Sequence, residues 1–396
     1  MVEKVHLHPL NALMDKPVIL FGAGNIAEKT MKKVGHSNVS FIVDNSTNLH
    51  GTALHGLPVT DPKEVSSEYL TVICTTDIEN VQAQLKQLGL VPGKDFVLSP
   101  LLNDLLAIYE LEKMTGEFYF TSGTVPREDG KRGGGLYHCR ILGEEYSIEK
   151  IYSGQCYGAI QKDAGVLFVD TNKGILKYQN DETKVLCELP KSSRGHGISY
   201  NSELDRYYVS CSKADVILEF DNVFNLTQRF LLSDKIKNLE EPAHHVNDNY
   251  SIGNSLYVSM FSSTGNWKKD IFDGCIAEFD IATGERRSDV ASNLYMPHNV
   301  QIIDGAVHVL DSLRGHLRFG NLGVQGSFSG FTRGLGYSGG LYFVGQSKNR
   351  NYSRVVGVSN NTSIDCGVVV FNPDLKVSRF LQFPPGIGEI HSVVVA

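Results

Sequence analysis

No run of about 18 apolar residues occurs anywhere in this 396-residue chain, so no membrane-spanning helix is expected. The opening stretch MVEKVHLHPLNALMDK lacks the apolar centre of a signal peptide, so no secretory leader is expected either. Positive charge is not in surplus: 37 Lys and Arg face 44 Asp and Glu, a net charge of −7. That excludes the basic footprint of a nucleic-acid-binding protein. Cysteine is sparse, at seven residues with no CxxC pair. An odd count in strand-like segments reads as reduced, mostly buried thiols of a cytoplasmic protein. Helical periodicity is missing beyond Gly116. The chain as a whole is 41% hydrophobic and 20% charged, with 39 glycines, a composition that suits a globular chain of short strands and tight turns.

The first 100 residues differ from the rest. KPVILFGAGNIAEKTMKKV reads strand, glycine turn, helix. Val18–Phe21 is continuously apolar, as in a parallel strand buried on both faces. Gly22, Gly24 and Ala27 fit GxGxxA: a tight turn, room for a phosphate, and close helix packing. With Asn25 they open a helix whose free N–H groups suit an anion. A second strand, VSFIVDN, ends in Asp44, where such a unit keeps an acid for a ribose hydroxyl. LTVICTT, a helix and DFVLSP continue an alternating pattern, so a Rossmann-like parallel sheet with helices on both faces is expected. Leu101–Met114 reads as a connecting helix over 101–115, and as a candidate contact of a homo-oligomer.

The order FGAGNIAEKTMKKV, FIVDN, LHGLPVTDPKEV, LTVICTT resembles a small nucleotide-binding domain of bacterial sugar-modifying enzymes. The resemblance implies a nucleotide or nucleotide sugar as ligand. NAD(P) is a further option, although the second half of a full dinucleotide fold is missing.

From 116 to 396 a unit recurs about every 40 residues, the mark of a propeller or solenoid. A polar loop leads to a hydrophobic strand in GQCYGAIQ, RGHGISY, AHHVNDNY, MPHNVQII, FTRGLGY and GEIHSVVV. Second strands alternate (RYYVSCS, SLYVSMFS, AVHVLDS, GLYFVGQS), and third strands end near Asp or Asn (VILEFDN, CIAEFDI, GVVVFNP). Five blades are expected over 149–189, 191–232, 240–289, 293–325 and 328–382. The C-terminal IHSVVVA closes a sixth with EFYFTSG and GGLYHCRI, which removes the free sheet edges.

Aligning the repeats puts Tyr157, His196, His245, His298, Arg333 and His391 around one mouth of the channel. His196, His298 and His391 are candidate ligands for a divalent metal such as Zn, Mn or Fe. Tyr157, His245, Arg333 and Glu389 are candidate catalytic groups, Arg333 for a carboxylate or phosphate and Glu389 as a general base. Asn247, Asp248 and Asn299 are candidate partners, and His244 is an alternative to His245. Arg314, His316 and Arg318 form a candidate anion rim or a solvated turn. Trp267 is a candidate sugar-stacking ring or a loop anchor.

Region 116–396 resembles the six-bladed NHL and gluconolactonase-like propellers and a bacterial propeller family of unknown function. The expected function is an enzyme acting on an anionic or nucleotide-activated carbohydrate by lyase, epimerase or hydrolase chemistry. The alternatives are a non-catalytic glycan- or partner-binding propeller with a nucleotide-sensing domain, and an NAD(P)-dependent oxidoreductase.

Overall fold

The computed structural model describes residues 15–126, 132–191, 193–232, 242–269, 271–348 and 363–395. The chain forms two compact units, Met1–Glu112 and Lys113–Ala396.

In the first unit, strands β1 (Val18–Phe21), β2 (Val39–Val43), β3 (Ala53–Leu54), β4 (Leu57–Thr60), β5 (Leu70–Ile73) and β6 (Phe96–Leu98) form one sheet in the order β3-β4-β2-β1-β5-β6. Side chains alternate across a strand, and β1 uses both faces. Val18 and Leu20 pack with Ala27, Met31 and Val34 of helix α1 (Asn25–Val34). Ile19 and Phe21 pack with Ile78, Val81 and Leu85 of helix α2 (Ile78–Gln87). That two-sided burial explains the unbroken apolar run. The expected parallel sheet needs one correction: β3 and β4 pair antiparallel, so the sheet is mixed. Ala53-Leu54 and Leu57-Pro58 are separated only by His55 and Gly56, both at positive φ, a hairpin connection too short for a parallel crossover. Helix α3 spans Asn103–Lys113. Among the described residues no helix is long and apolar enough to cross a membrane.

The second unit is a six-bladed β-propeller of four-stranded antiparallel sheets, the first five blades in sequential order. The inner strands of blades 1 to 5 are Cys156–Lys162, Gly195–Asn201, Val246–Ile252, His298–Ile303 and Phe331–Ser338. Blade 6 takes its inner strand, Ser392–Val395, from the C-terminus and its other three, Thr115–Ser122, Gly135–Leu142 and Glu145–Ser153, from the start of the unit. Ser392–Val395 pairs antiparallel with Phe118–Thr121, which ties the ring shut. Blade 1 therefore begins at Cys156; the segment from 149 to 153 that the repeat assigns to it is the outer edge of blade 6. All seven cysteines are free thiols, and burial pushes those of Cys74, Cys139 and Cys211 up to about 12.

The inner strands approach closely at the axis. A Cβ on Gly158 would lie 2.5 Å from His196 O, and one on Gly197 would lie 2.6 Å from Asp248 Cα. Both obstacles are main chain, which yields only if strands move apart. Gly197→Ala is expected to cost about 1–3 kcal/mol of propeller stability, the usual scale for overpacking, measured by urea unfolding of the full chain.

Candidate functional site

Each of the first five inner strands carries the same irregularity. Two residues oppose one on the second strand between Cys156 and Ala159, Gly195 and Ile198, Val246 and Asn249, His298 and Gln301, and Thr332 and Leu335. A bulge of this kind re-aims a side chain out of the pleat. The pairs inserted are Tyr157-Gly158, His196-Gly197, Asn247-Asp248, Asn299-Val300 and Arg333-Gly334.

Tyr157, His196, Asn247 and Arg333 from these pairs line a cavity of about 190 Å³, together with Arg194, His245, His298, His391, Phe261, Met296 and Trp267. All six side chains expected in the ring thus share one cavity. Their register differs from the expectation in two blades. His245 precedes the blade 3 bulge by two residues, and His298 is the residue before the blade 4 bulge; Asn247 and Asn299 hold the places equivalent to His196. His245 reaches the cavity from the loop, at φ 54°, stacked on Phe261 and tilted against Trp267 with ring centroids 4.5 and 4.6 Å away. His244 is turned elsewhere: its Nδ1 meets Ser262 O at 2.8 Å, and its N–H donates to Asp215.

The rings are close-set. Tyr157 lies 4.5 Å from His196 and 4.4 Å from His391, centroid to centroid, and His196 lies 5.2 Å from His391 and 6.4 Å from His298. Glu389 does not line the cavity. It is 3% exposed and stands behind it, with Oε2 3.0 Å from His391 Nε2 and 3.7 Å from Arg333 Nη1. From there its Oε2 holds two cavity groups, the His391 ring and the Arg333 guanidinium. Arg194, the first residue of the RGHGISY repeat and missed as a site residue, is exposed at the mouth and donates from Nη2 to Tyr157 Oη at 3.2 Å.

Charge is distributed unevenly. Burial pulls the His196 ring well below its ordinary pKa, and neighbouring His391, His298 and Arg194 add to this. His298 is depressed in the same way by burial, Arg333 and His391, against the opposing Met296 carbonyl. Both imidazoles are neutral at pH 7. His298 Nδ1 lies 2.8 Å from Ser312 Oγ, which leaves Nε2 for the cavity. His196 makes no side-chain hydrogen bond among the described residues. Two guanidiniums, Arg194 and Arg333, line the same cavity, and the Glu389 carboxylate lies 3.7 Å from Arg333.

For a metal, the fit is poor. Among the described residues no group of three or more His, Cys, Asp or Glu is placed to hold an ion. His196, His298 and His391 share the cavity, and Glu389 holds His391 by Nε2.

The other candidates separate. Arg314 and Arg318 both bind the Asp311 carboxylate at 3.0 Å. They lock blade 4 and do not form an anion rim, and His316 between them is half-buried. Trp267 both anchors its loop on Phe261 and borders the cavity. In the first unit, Gly22 adopts φ +110°, and a Cβ on Gly24 would meet open space. Gly24 caps α1 with no side-chain hydrogen bond, and Asn25 and Ala27 lie in its first turn. Both Asp44 oxygens accept main-chain N–H groups, from Ala23 at 2.7 Å and Ser46 at 2.8 Å, so Asp44 braces the turn.

Residues 245–396, less than half of the chain, match the family described as Domain of unknown function (DUF4915). No curated protein matches the sequence. Among solved structures, a nidogen/laminin complex is similar at 13% identity, covering 72% of this chain and 98% of that one with a TM-score of 0.49. A Bacteroides caccae protein of unknown function is similar at 13% identity, 71% and 98% coverage and a TM-score of 0.48. The calcium-binding protein regucalcin of Agrobacterium tumefaciens follows at 12% identity, 59% and 75% coverage and a TM-score of 0.42. At these values the likeness carries no functional information.

The depressed histidines make acid destabilising. An unfolded imidazole takes its proton near 6.5, whereas the folded rings resist until far lower pH. The unfolded chain therefore binds more protons below about pH 6.5, and stability falls as pH drops, by up to about 1.4 kcal/mol per pH unit for each ring. His298→Gln is expected to flatten this acid limb, read as the difference between urea midpoints at pH 7 and pH 5.

Proposed function

We propose that the propeller is an enzyme whose central cavity binds a small anionic carbohydrate and moves a proton on it. The observation that carries this reading is the pairing of guanidiniums with neutral imidazoles in one enclosed space. Arg194 at the mouth and Arg333 deeper in suit a carboxylate or phosphate. A cavity of about 190 Å³ holds roughly six water volumes, the scale of one sugar acid and too small for a glycan chain.

Neutral His196, close to Tyr157 and His391, is placed to accept a proton from carbon or oxygen. Glu389 holds His391 by its Nε2, so a proton gained by that ring is stabilised by the carboxylate. Arg333 then faces the negative charge that grows on the substrate. β-Elimination and epimerisation share this first step, removal of the proton next to a carboxylate. Hydrolysis needs only the acid–base pair. A divalent metal would serve as a Lewis acid in the same reactions, but the donor set described above does not favour it.

For the first unit, a nucleotide or nucleotide sugar is the proposed ligand. The reading rests on the glycine turn and on the space beside Gly24. A thermal-shift panel of UDP-sugars, CDP-sugars and NAD(P) separates it from a dinucleotide-dependent oxidoreductase.

The test of the enzyme reading uses proton NMR of sugar acids and sugar phosphates in D2O with the full chain. A substrate is expected to exchange its α-proton or to convert. His196→Gln is expected to slow this by about 100-fold or more. Arg333→Lys is expected to weaken binding by about tenfold, since lysine lacks the bidentate fork. Saturable binding without exchange or turnover would instead support a non-catalytic binding propeller, and binding indifferent to Arg333 would remove the anion site.

A further inference from the structure

Past the bulges, the same inner strands enclose a second cavity of about 240 Å³, lined by segments of blades 1 to 4 and by Ser392 of blade 6. Its chemistry is the reverse of the first. No Lys, Arg or His lines it, and its one charge is Asp248. Asp248 is only 7% exposed. Its Oδ2 accepts the Asn299 N–H at 3.0 Å, and among the described residues no group donates to Oδ1 and no cation forms a salt bridge with it. A buried carboxylate without a counter-ion is costly.

Three of the neighbouring polar groups donate into the protein. Ser199 donates to Asn249, Ser392 Oγ to Ala159 O, and Gln301 Nε2 to Leu335 O. Those three donors are thereby taken up, and Gln161 and Asn299 also border the cavity. The half-buried rings of Tyr200 and Tyr250 complete the wall. Lys162, 4.1 Å from the Tyr200 centroid, pairs with Asp163 and does not line the cavity.

We infer that this second cavity binds a small organic ammonium ion, with Asp248 as counter-ion and the Tyr250 ring as an aromatic wall. An anionic, aromatic-edged pocket matches a cation that carries apolar substituents. The volume corresponds to about eight water molecules, room for a choline-sized ion. Its lining residues are all different from those of the histidine cavity.

Asp248 must be ionised to serve. Burial pushes its pKa up to about 6, opposed by the Asn299 N–H and by Arg333 of blade 5. The other lining residues, from blades 1, 2, 4 and 6, contribute no titratable group except Tyr200. Affinity should therefore be full at pH 7.5 and decline as pH falls through 6.

The experiment is calorimetric titration of the full chain with choline and with its neutral isostere 3,3-dimethyl-1-butanol. Saturable one-to-one choline binding is expected at pH 7.5. It should be about tenfold weaker or worse for the neutral isostere, at pH 5, and in Asp248→Asn. Asn keeps an oxygen for the Asn299 N–H; should that variant fail to fold, the isostere and the pH series on the wild-type chain decide. No saturable choline binding, equal binding of the isostere, or undiminished binding by folded Asp248→Asn each overturns the inference.

Discussion

The two-against-one register near the start of five inner strands is the constraint on which the rest of the molecule depends. A regular inner strand would alternate its side chains between the two faces of its own blade. The extra residue breaks that alternation at the same level in each blade, and Tyr157, His196, Asn247 and Arg333 turn toward the axis. Room for this comes from small or absent side chains next to the turned ones, Gly158 and Gly197 above all. The blade cores are apolar and cooperative, so they can hold a strained, polar centre in place. The closing strand Ser392–Val395 completes the arrangement by bringing His391 and Glu389 to the ring.

The same register divides the channel by charge. On one side lie guanidiniums and imidazoles that burial keeps neutral; on the other lies Asp248. The bulges supply both, since Asn247 faces the first cavity and Asp248 the second. They are also cross-linked from blade to blade: Asp248 accepts the Asn299 N–H, and Asn299 Oδ1 accepts the Gly334 N–H at 2.6 Å. Buried main-chain groups freed by the bulges thereby find partners, and the position of Arg333 is fixed through its neighbour Gly334.

Much of this was legible in the sequence. Blade count and closure followed from alternating strands, turn residues and a C-terminal strand without sequential partners. The six ring members followed from their recurrence at strand starts. Their register did not, because matching histidine to histidine ignores an inserted residue; the dipeptides Tyr-Gly, His-Gly and Arg-Gly in three repeats were the available signal, absent from blades 3 and 4. Glu389 could not be placed from its spacing, since two residues apart on an irregular segment fixes no direction. Arg314 and Arg318 looked free because their partner, Asp311, lies on the preceding strand end. The parallel set in the first unit was readable from its apolar runs, while the β3–β4 hairpin was too short to show a period. The second cavity had no sequence signal, being lined by ordinary strand residues from several blades.

The central claim is that the bulged ring forms a site for a small anion. A crystal structure of the full chain grown with glucuronate tests it most directly. The account predicts one ligand in the cavity bordered by His196, His298 and His391, its carboxylate on Arg333 and its ring near Tyr157. Glucuronate bound only elsewhere, or held there with its carboxylate turned away from Arg333, would contradict it.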